Sequence, residues 1–318
     1  MNEIFFLIFA FLTVFLSIKL SYYADLLSKT SGVSKALVGG IVLAGVTSLP
    51  EFVTCFSAMV VDNPALAIGD IIGSNLFNLF MICFFDIVFI KKMIFSNTSR
   101  SHNIVILILI LNYLALYLFV SKIFDFSLLS IGFPSILIIA TYILYLKKIP
   151  KFEEESYVIN EDGSAKKTAV KLAIVSLCMV ISSVLLTIIV NNISLAHPSF
   201  SSIFLGAIFL GITTSLPEVV TFYALINIKS YDIAVSNIIG SCLFNLLVLA
   251  IGDIVFLGYP VYMFSDNDTL ILVILGLLFL VSCLIINYRK RCKNLFSYGF
   301  ISFLVIVIYL GFWLSKFL

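Results

Sequence analysis

Ten runs of apolar residues follow one another along this 318-residue chain, each long enough, at about 20 residues, to cross the hydrocarbon core of a bilayer as a helix. They lie near 3–21, 36–61, 65–90, 103–120, 127–147, 169–191, 201–228, 232–257, 268–287 and 298–317. Lipid offers no partner for backbone N–H and C=O groups, so segments of this kind must be helical. The chain is 62% hydrophobic and only 11% charged, against about 25% charged in soluble domains. Its mean hydropathy is +1.18. No polar stretch is large enough for a soluble domain, so the expected fold is an all-α polytopic protein whose main partner is the lipid bilayer of a cell membrane. The first run lacks the basic n-region of a cleaved signal peptide and reads as a span.

Basic residues near span ends are retained in the cytoplasm, and every Lys and Arg except Lys122 and Lys316 falls in or beside the connections 1–2, 3–4, 5–6, 7–8 and 9–10. Both termini are therefore expected outside, with Lys91, Lys92, Lys147, Lys148, Arg289, Lys290 and Arg291 facing the cytoplasm. The net charge of +2 expresses that topology and not nucleic-acid binding. The six cysteines, Cys55, Cys83, Cys178, Cys242, Cys283 and Cys292, form no C-x-x-C pair and read as small packing residues. His102 and His197 are isolated and expected in solvated loops, which leaves no zinc or haem site and no cofactor. With no H-E-x-x-H, nucleophile elbow or phosphate loop, the chain does not read as an enzyme.

Residues 39–89 match residues 206–256 without a gap at a constant offset of 167. The match pairs Thr47-Ser48-Leu49-Pro50-Glu51 with Thr214-Ser215-Leu216-Pro217-Glu218, and Ile71-Ile72-Gly73-Ser74 with Ile238-Ile239-Gly240-Ser241. It also pairs Leu76-Phe77-Asn78-Leu79 with Leu243-Phe244-Asn245-Leu246, and Asp86-Ile87-Val88-Phe89 with Asp253-Ile254-Val255-Phe256. Each half holds five spans, an odd number, so the second half enters the membrane from the opposite face. The expectation is ten transmembrane helices in two inverted five-helix repeats, 1–147 and 169–318, joined by a cytoplasmic linker at 148–168. Such inverted repeats characterise secondary transporters.

Pro50 and Pro217 interrupt spans 2 and 7 in mid-membrane, each removing one backbone hydrogen bond and displacing the carbonyl four residues back, here Val46 and Thr213. The loosened turns also make Ala44 and Gly211 carbonyl donors. A kink alone would serve packing, but each is followed at once by a glutamate, Glu51 or Glu218, whose charge near the centre of a span marks function. Asp70, Ser74 and Asn78 share one helical face at i, i+4 and i+8, as do Asn237, Ser241 and Asn245. The mid-span amides of Asn78 and Asn245 favour ligation, whereas Ser74 and Ser241 suit either ligation or close packing beside Gly73 and Gly240. Thr47, Ser48, Thr214 and Ser215 add hydroxyls. An all-oxygen set selects Na⁺ and Ca²⁺ over zinc or copper, and its width suits Ca²⁺ better than Mg²⁺. Asp70, towards the start of span 3, fits a cation attractor on an access path or an interfacial aspartate. Asp86 and Asp253 fit gating or structural helix-end roles.

Gly-Val-Thr-Ser-Leu-Pro-Glu and Gly-Ser-Asn-Leu-Phe-Asn, doubled in inverted halves, resemble the two alpha-repeats of the Ca²⁺/cation antiporter superfamily, nearest to prokaryotic sodium/calcium exchangers. The resemblance implies exchange of Na⁺ for Ca²⁺ by alternating access, with spans 1 and 6 sliding across an eight-helix core. It implies that Glu51 and Glu218 are shared Ca²⁺ and Na⁺ ligands. Thr47, Ser48, Thr214, Ser215, Ser74 and Ser241 would complete the sodium sites, and Ala44 and Gly211 would give carbonyls. Coupling of Ca²⁺ to H⁺ or K⁺ on the same fold is the nearest alternative, and a cation channel is an alternative of another class. A monomer suffices for all of these. Family exchangers often carry an aspartate at the position of Asn245, so Asn245→Asp is expected to change the coupling ratio or voltage dependence of transport in proteoliposomes. An unchanged ratio would place Asn245 away from the ions.

Overall fold

The computed structural model describes residues 2–31, 33–60, 62–148, 164–194, 206–256, 258–289 and 295–317. Most of the expected linker, the start of the seventh expected span, His197, Lys290, Arg291 and Cys292 lie outside these residues. Each of the ten apolar runs holds a helix or a broken helix. In chain order the helices are α1 (Asn2–Ser31), α2 (Lys35–Thr47), α3 (Leu49–Val60), α4 (Pro64–Val88), α5 (His102–Val120), α6 (Phe133–Lys148) and α7 (Ser164–Ser194). They continue with α8 (206–214), α9 (Leu216–Asn227), α10 (Tyr231–Val255), α11 (Asn267–Tyr288) and α12 (Leu295–Phe317). By length and apolarity α1, α4, α5, α10, α11 and α12 can cross a membrane, and α2 with α3, bent by 43°, makes a seventh crossing.

α4 and α10 form the centre. Their apolar windows are 78% and 72% buried, against 28% in α1 and in α12, so α4 and α10 lie inside protein while α1 and α12 turn most of their surface to lipid. Each has 25 residues, about 37 Å of helix, which is enough to span the bilayer. Asn63 starts α4 by accepting the N–H of Leu66, with Pro64 at the first helical position.

The broken helices cross these two at very short range. A Cβ on Gly240 would lie 2.5 Å from the carbonyl oxygen of Gly40, and one on Gly73 would lie 2.3 Å from the Cα of Ala207. The two contacts are the same contact at the 167-residue offset. Small residues thus let the backbone of each half press on the other, the usual solution where apolar attraction between helices is weak.

Both breaks have the same construction. A π-helical turn, Val38–Leu43 or Gly206–Leu210, precedes one short α turn, and then Ser48 (φ −92°, ψ 11°) or Ser215 (φ −81°, ψ 3°) leaves helical geometry. The proline two residues later forces this, since it has no N–H to continue the ladder. The N–H of Ser48 still donates to the carbonyl of Ala44 at 3.1 Å with that of Val46 beside it, and the N–H of Ser215 faces the carbonyl of Thr213.

Several expectations change. The fifth apolar run starts near 127, but Ser127–Leu128 and Ile131–Gly132 pair as a short hairpin and the helix begins at Phe133. Leu129 and Ser130 both take positive φ, 50° and 67°, the turn a two-residue hairpin needs. α1 runs on to Ser31, beyond the apolar run, because its last turns are amphipathic and bury Asp25 and Ser28. His102 is not a solvated loop residue: it is buried at the start of α5 with Nε2 3.1 Å from Asp232 Oδ1. Asp86 and Asp253 are clasps. Asp86 takes Arg289, Tyr298 and Ser302 at 2.8, 2.8 and 2.7 Å, fastening α4 to α11 and α12. Asp253 takes the N–H of Gly132, the N–H of Val261 and Ser135 Oγ at 2.9, 2.6 and 2.7 Å, tying down the hairpin.

The crossing of α2 and α10 predicts that Gly240→Ala lowers stability by about 1–3 kcal/mol, the usual penalty for forcing an atom into a packed contact. The check is the melting temperature of the purified protein in detergent, and an unchanged value would contradict the backbone contact.

Candidate cation site

Glu51 and Glu218 stand in the first turns of α3 and α9, where unpaired backbone N–H groups and the helix dipole favour a carboxylate. Both are completely buried. Each carboxylate is held by a serine of the opposite half: Ser48 Oγ donates to Glu218 Oε1 at 3.0 Å, and Ser215 Oγ donates to Glu51 Oε1 at 3.4 Å. Adding 167 to Ser48 gives Ser215, and adding it to Glu51 gives Glu218, so one bond is the image of the other.

The hydroxyl pairs repeat the pattern. Thr47 Oγ1 lies 3.3 Å from Ser241 Oγ, and Ser74 Oγ lies 3.2 Å from Thr214 Oγ1. Thr47 donates to the carbonyl of Leu43 and Thr214 to that of Leu210, each at 3.0 Å. A carbonyl can only accept, so these threonine protons point back into the helix and the oxygen lone pairs are left facing Ser241 and Ser74. Ala44 and Gly211 enter the same clusters through their carbonyls: Thr47 Oγ1 lies 3.5 Å from that of Ala44, and Ser74 Oγ, whose one proton serves either Thr214 or this carbonyl, lies 3.2 Å from that of Gly211. The division of labour on α4 and α10 is now clear. Gly73 and Gly240 make the close packing, while Ser74 and Ser241 reach the threonines.

Four oxygens, matched in both copies of the repeat, accept no hydrogen bond from the described residues: Glu51 Oε2, Glu218 Oε2, Asn78 Oδ1 and Asn245 Oδ1. All four belong to fully buried residues. Native structures leave few buried polar atoms unpaired, and an ion or an ordered water is among the partners that account for the exceptions. Here the four form two related pairs at the 167-residue offset, each half giving one carboxylate oxygen and one amide oxygen. Among the described residues no three His, Cys, Asp or Glu side chains come together as a metal group. Neutral amides, hydroxyls and carbonyls must therefore supply the rest of any coordination shell, a composition that suits hard cations.

Asp70 is fully buried and not interfacial. It accepts a hydrogen bond from Thr54 Oγ1 of α3 and lies 3.5 Å from Thr214 Oγ1, so it stands behind Thr214 instead of at a solvent-facing entrance. Its counterpart Asn237 is also buried, with neither amide atom paired among the described residues. Asn75 and Thr54 escape a reading based on i, i+4 spacing. Asn75 sits one residue off the Asp70-Ser74-Asn78 stripe, and the repeat gives it Cys242 as counterpart, which hides its polarity. Its only signal in the sequence is its place in Gly-Ser-Asn, three residues before Asn78.

Ser48→Ala and Ser215→Ala each leave a buried carboxylate oxygen without its donor, and hydrogen bonds to charged groups contribute about 1.5–3 kcal/mol. Each variant should melt lower than the parent by a comparable margin. A clear loss in one and none in the other would contradict the symmetry of the two bonds.

Comparison with known proteins gives the family and the fold. The family model described as sodium/calcium exchanger protein matches residues 3–147 and 168–317, nearly the whole chain. The inner membrane protein YrbG of Escherichia coli (strain K12) is 25% identical over 286 residues, covering 86% of this chain and 85% of its own. Solved structures of the sodium-calcium exchanger NCX_Mj share the fold. One, soaked with 10 mM Na⁺ and zero Ca²⁺, has TM-score 0.72 and 20% identity over 98% of both chains. Another, soaked with 2.5 mM Na⁺ and 1 mM Sr²⁺, has TM-score 0.73 and 20% identity over 98% of this chain and 97% of that one. With helices able to cross a bilayer repeatedly, a doubled acidic motif and a family match over both halves, this multi-pass membrane chain belongs to the sodium/calcium exchanger protein family.

Proposed function

We propose that the protein exchanges Na⁺ for Ca²⁺ across the membrane by alternating access. The observation that carries this reading is the set of four unpaired oxygens on Glu51, Glu218, Asn78 and Asn245, drawn equally from the two matching segments. Two carboxylates match the charge of one Ca²⁺ or two Na⁺. Thr47, Ser48, Ser74, Thr214, Ser215 and Ser241, with the carbonyls of Ala44 and Gly211, complete shells that a single larger charge or two smaller ones can share. Asp70 acts on the ions from behind Thr214.

In this proposal the ten helical stretches are ten transmembrane spans in inverted repeats, 1–147 and 169–318, linked on the cytoplasmic side at 148–168. Both termini face outside and a monomer is the working unit. α1 and α7 pack along each other, with Thr13 Oγ1 2.9 Å from Ser182 Oγ. They touch the core through contacts such as Ser21 Oγ to the Thr221 carbonyl at 3.4 Å. This pair moves across the core and exposes the site to one side at a time. Because two like charges cannot stay together unneutralised in so dry a place, the empty transporter resists the crossing and the loaded one does not.

The test is Ca²⁺ uptake into proteoliposomes loaded in turn with Na⁺, K⁺ or an acidic interior, each beside an equilibrated control. Uptake driven by the Na⁺ gradient and abolished by Glu51→Gln or Glu218→Gln, in variants that remain monodisperse, is expected. Uptake that follows K⁺ or the pH gradient would assign the coupling ion differently. Flux without any counter-ion gradient would mark a channel.

A further inference from the structure

We infer that Asn75 is a positioning residue that fixes the side-chain amide of Asn245 with its oxygen turned to the cation. The inference rests on the reading that Asn245 lies at the ion site, and it adds a residue which that reading does not contain.

An amide side chain has two similar ends, and either could face an ion. For Asn245 the choice is settled by a chain of hydrogen bonds that starts at a backbone carbonyl. The carbonyl of Cys242 can only accept, and Asn75 Nδ2 donates to it at 3.0 Å. The oxygen of Asn75 must then face the other way, where Asn245 Nδ2 donates to Asn75 Oδ1 at 3.0 Å. Asn245 has therefore committed its NH₂ group to Asn75, and its Oδ1, fully buried and unpaired among the described residues, is what remains for the site. Reversing Asn245 would bring two carbonyl oxygens together. Reversing Asn75 as well would set its oxygen against the Cys242 carbonyl.

Asn75 and Cys242 occupy equivalent positions at the 167-residue offset, and Asn75 reaches across to the backbone of its own counterpart. The arrangement cannot repeat itself in the other half. A cysteine stands where a second asparagine would be needed to hold Asn78, and both Asn78 Oδ1 and Nδ2 are unpaired among the described residues. The two halves thus offer unequal ligands: a preorganised amide oxygen on Asn245 and an amide on Asn78 that turns to suit its ion. Preorganisation of a ligand raises affinity by removing the cost of orienting it, so the loss of Asn75 acts on cation binding through Asn245.

The experiment is equilibrium Ca²⁺ binding to the purified full chain in detergent, for Asn75→Leu, Asn245→Ala and the double variant. Leucine keeps the branched shape of asparagine with somewhat more bulk and removes both hydrogen bonds. Asn245→Ala should weaken binding about tenfold, the loss of one good ligand interaction. Asn75→Leu should weaken it by a similar factor, and the double variant should bind no more weakly than Asn245→Ala alone. Asn75→Ala, which adds no bulk, gives the same comparison if the leucine variant does not fold. Binding within twofold of the parent in the Asn75 variants, or a double variant showing the product of the two single losses, would overturn the inference, since a merely structural role for Asn75 would act independently of Asn245. Unchanged binding in Asn245→Ala would instead overturn the placement of Asn245 at the site, and the role of Asn75 with it.

Discussion

A carboxylate in the middle of a membrane costs at least a few kcal/mol unless something compensates it, and this chain buries two, Glu51 and Glu218, completely. The rest of the architecture follows from that constraint. The helices carrying them are broken so that each glutamate sits in the first turn of a new helix, where backbone N–H groups favour negative charge. The proline just before each glutamate makes the break. The serine before that gives its hydroxyl to the glutamate of the other half, so neither half can satisfy its own charge alone. One oxygen of each carboxylate is still left over, and in the proposed function that remaining need is met by the transported cation.

Reciprocity has a mechanical consequence. The bonds and the backbone crossings Gly40–Gly240 and Ala207–Gly73 bind α2, α3, α4, α8, α9 and α10 into one unit around the cluster. Asp86 and Asp253 clasp the ends of α4 and α10 to their neighbours through charged and neutral hydrogen bonds. A unit fastened in this way is a poor candidate for internal motion. The helices with most of their surface turned outward, α1 among them, are the better candidates for movement, and this is the division of parts that the proposed alternating access requires.

Much of this was legible from the residues. Pro50-Glu51 and Pro217-Glu218 announce broken helices with buried charge, and the offset of 167 couples them into one site. The stripes through Ser74 and Asn78 and through Ser241 and Asn245 are visible because helical spacing is local. What spacing cannot give is a contact that depends on how helices cross. His102 meets Asp232, 130 positions away, and Asp86 meets Arg289, Tyr298 and Ser302. Asn75 finds its partners on α10 across the centre of the molecule, in a place where the repeat itself is broken by Cys242. The hairpin before α6 was hidden for another reason: its residues are apolar enough to extend a span, and only the positive φ values at Leu129 and Ser130 end it.

The central claim is that carboxylates from opposite halves hold one cation between them. Anomalous diffraction from crystals soaked with Sr²⁺, a heavier stand-in for Ca²⁺, tests it most directly. The account predicts a peak bounded by Glu51 and Glu218, with oxygens of both at about the 2.3–2.6 Å expected for a Ca²⁺-like ion. A cation bound by one glutamate alone, or a peak elsewhere with Glu51 and Glu218 unchanged and uncoordinated, would contradict it.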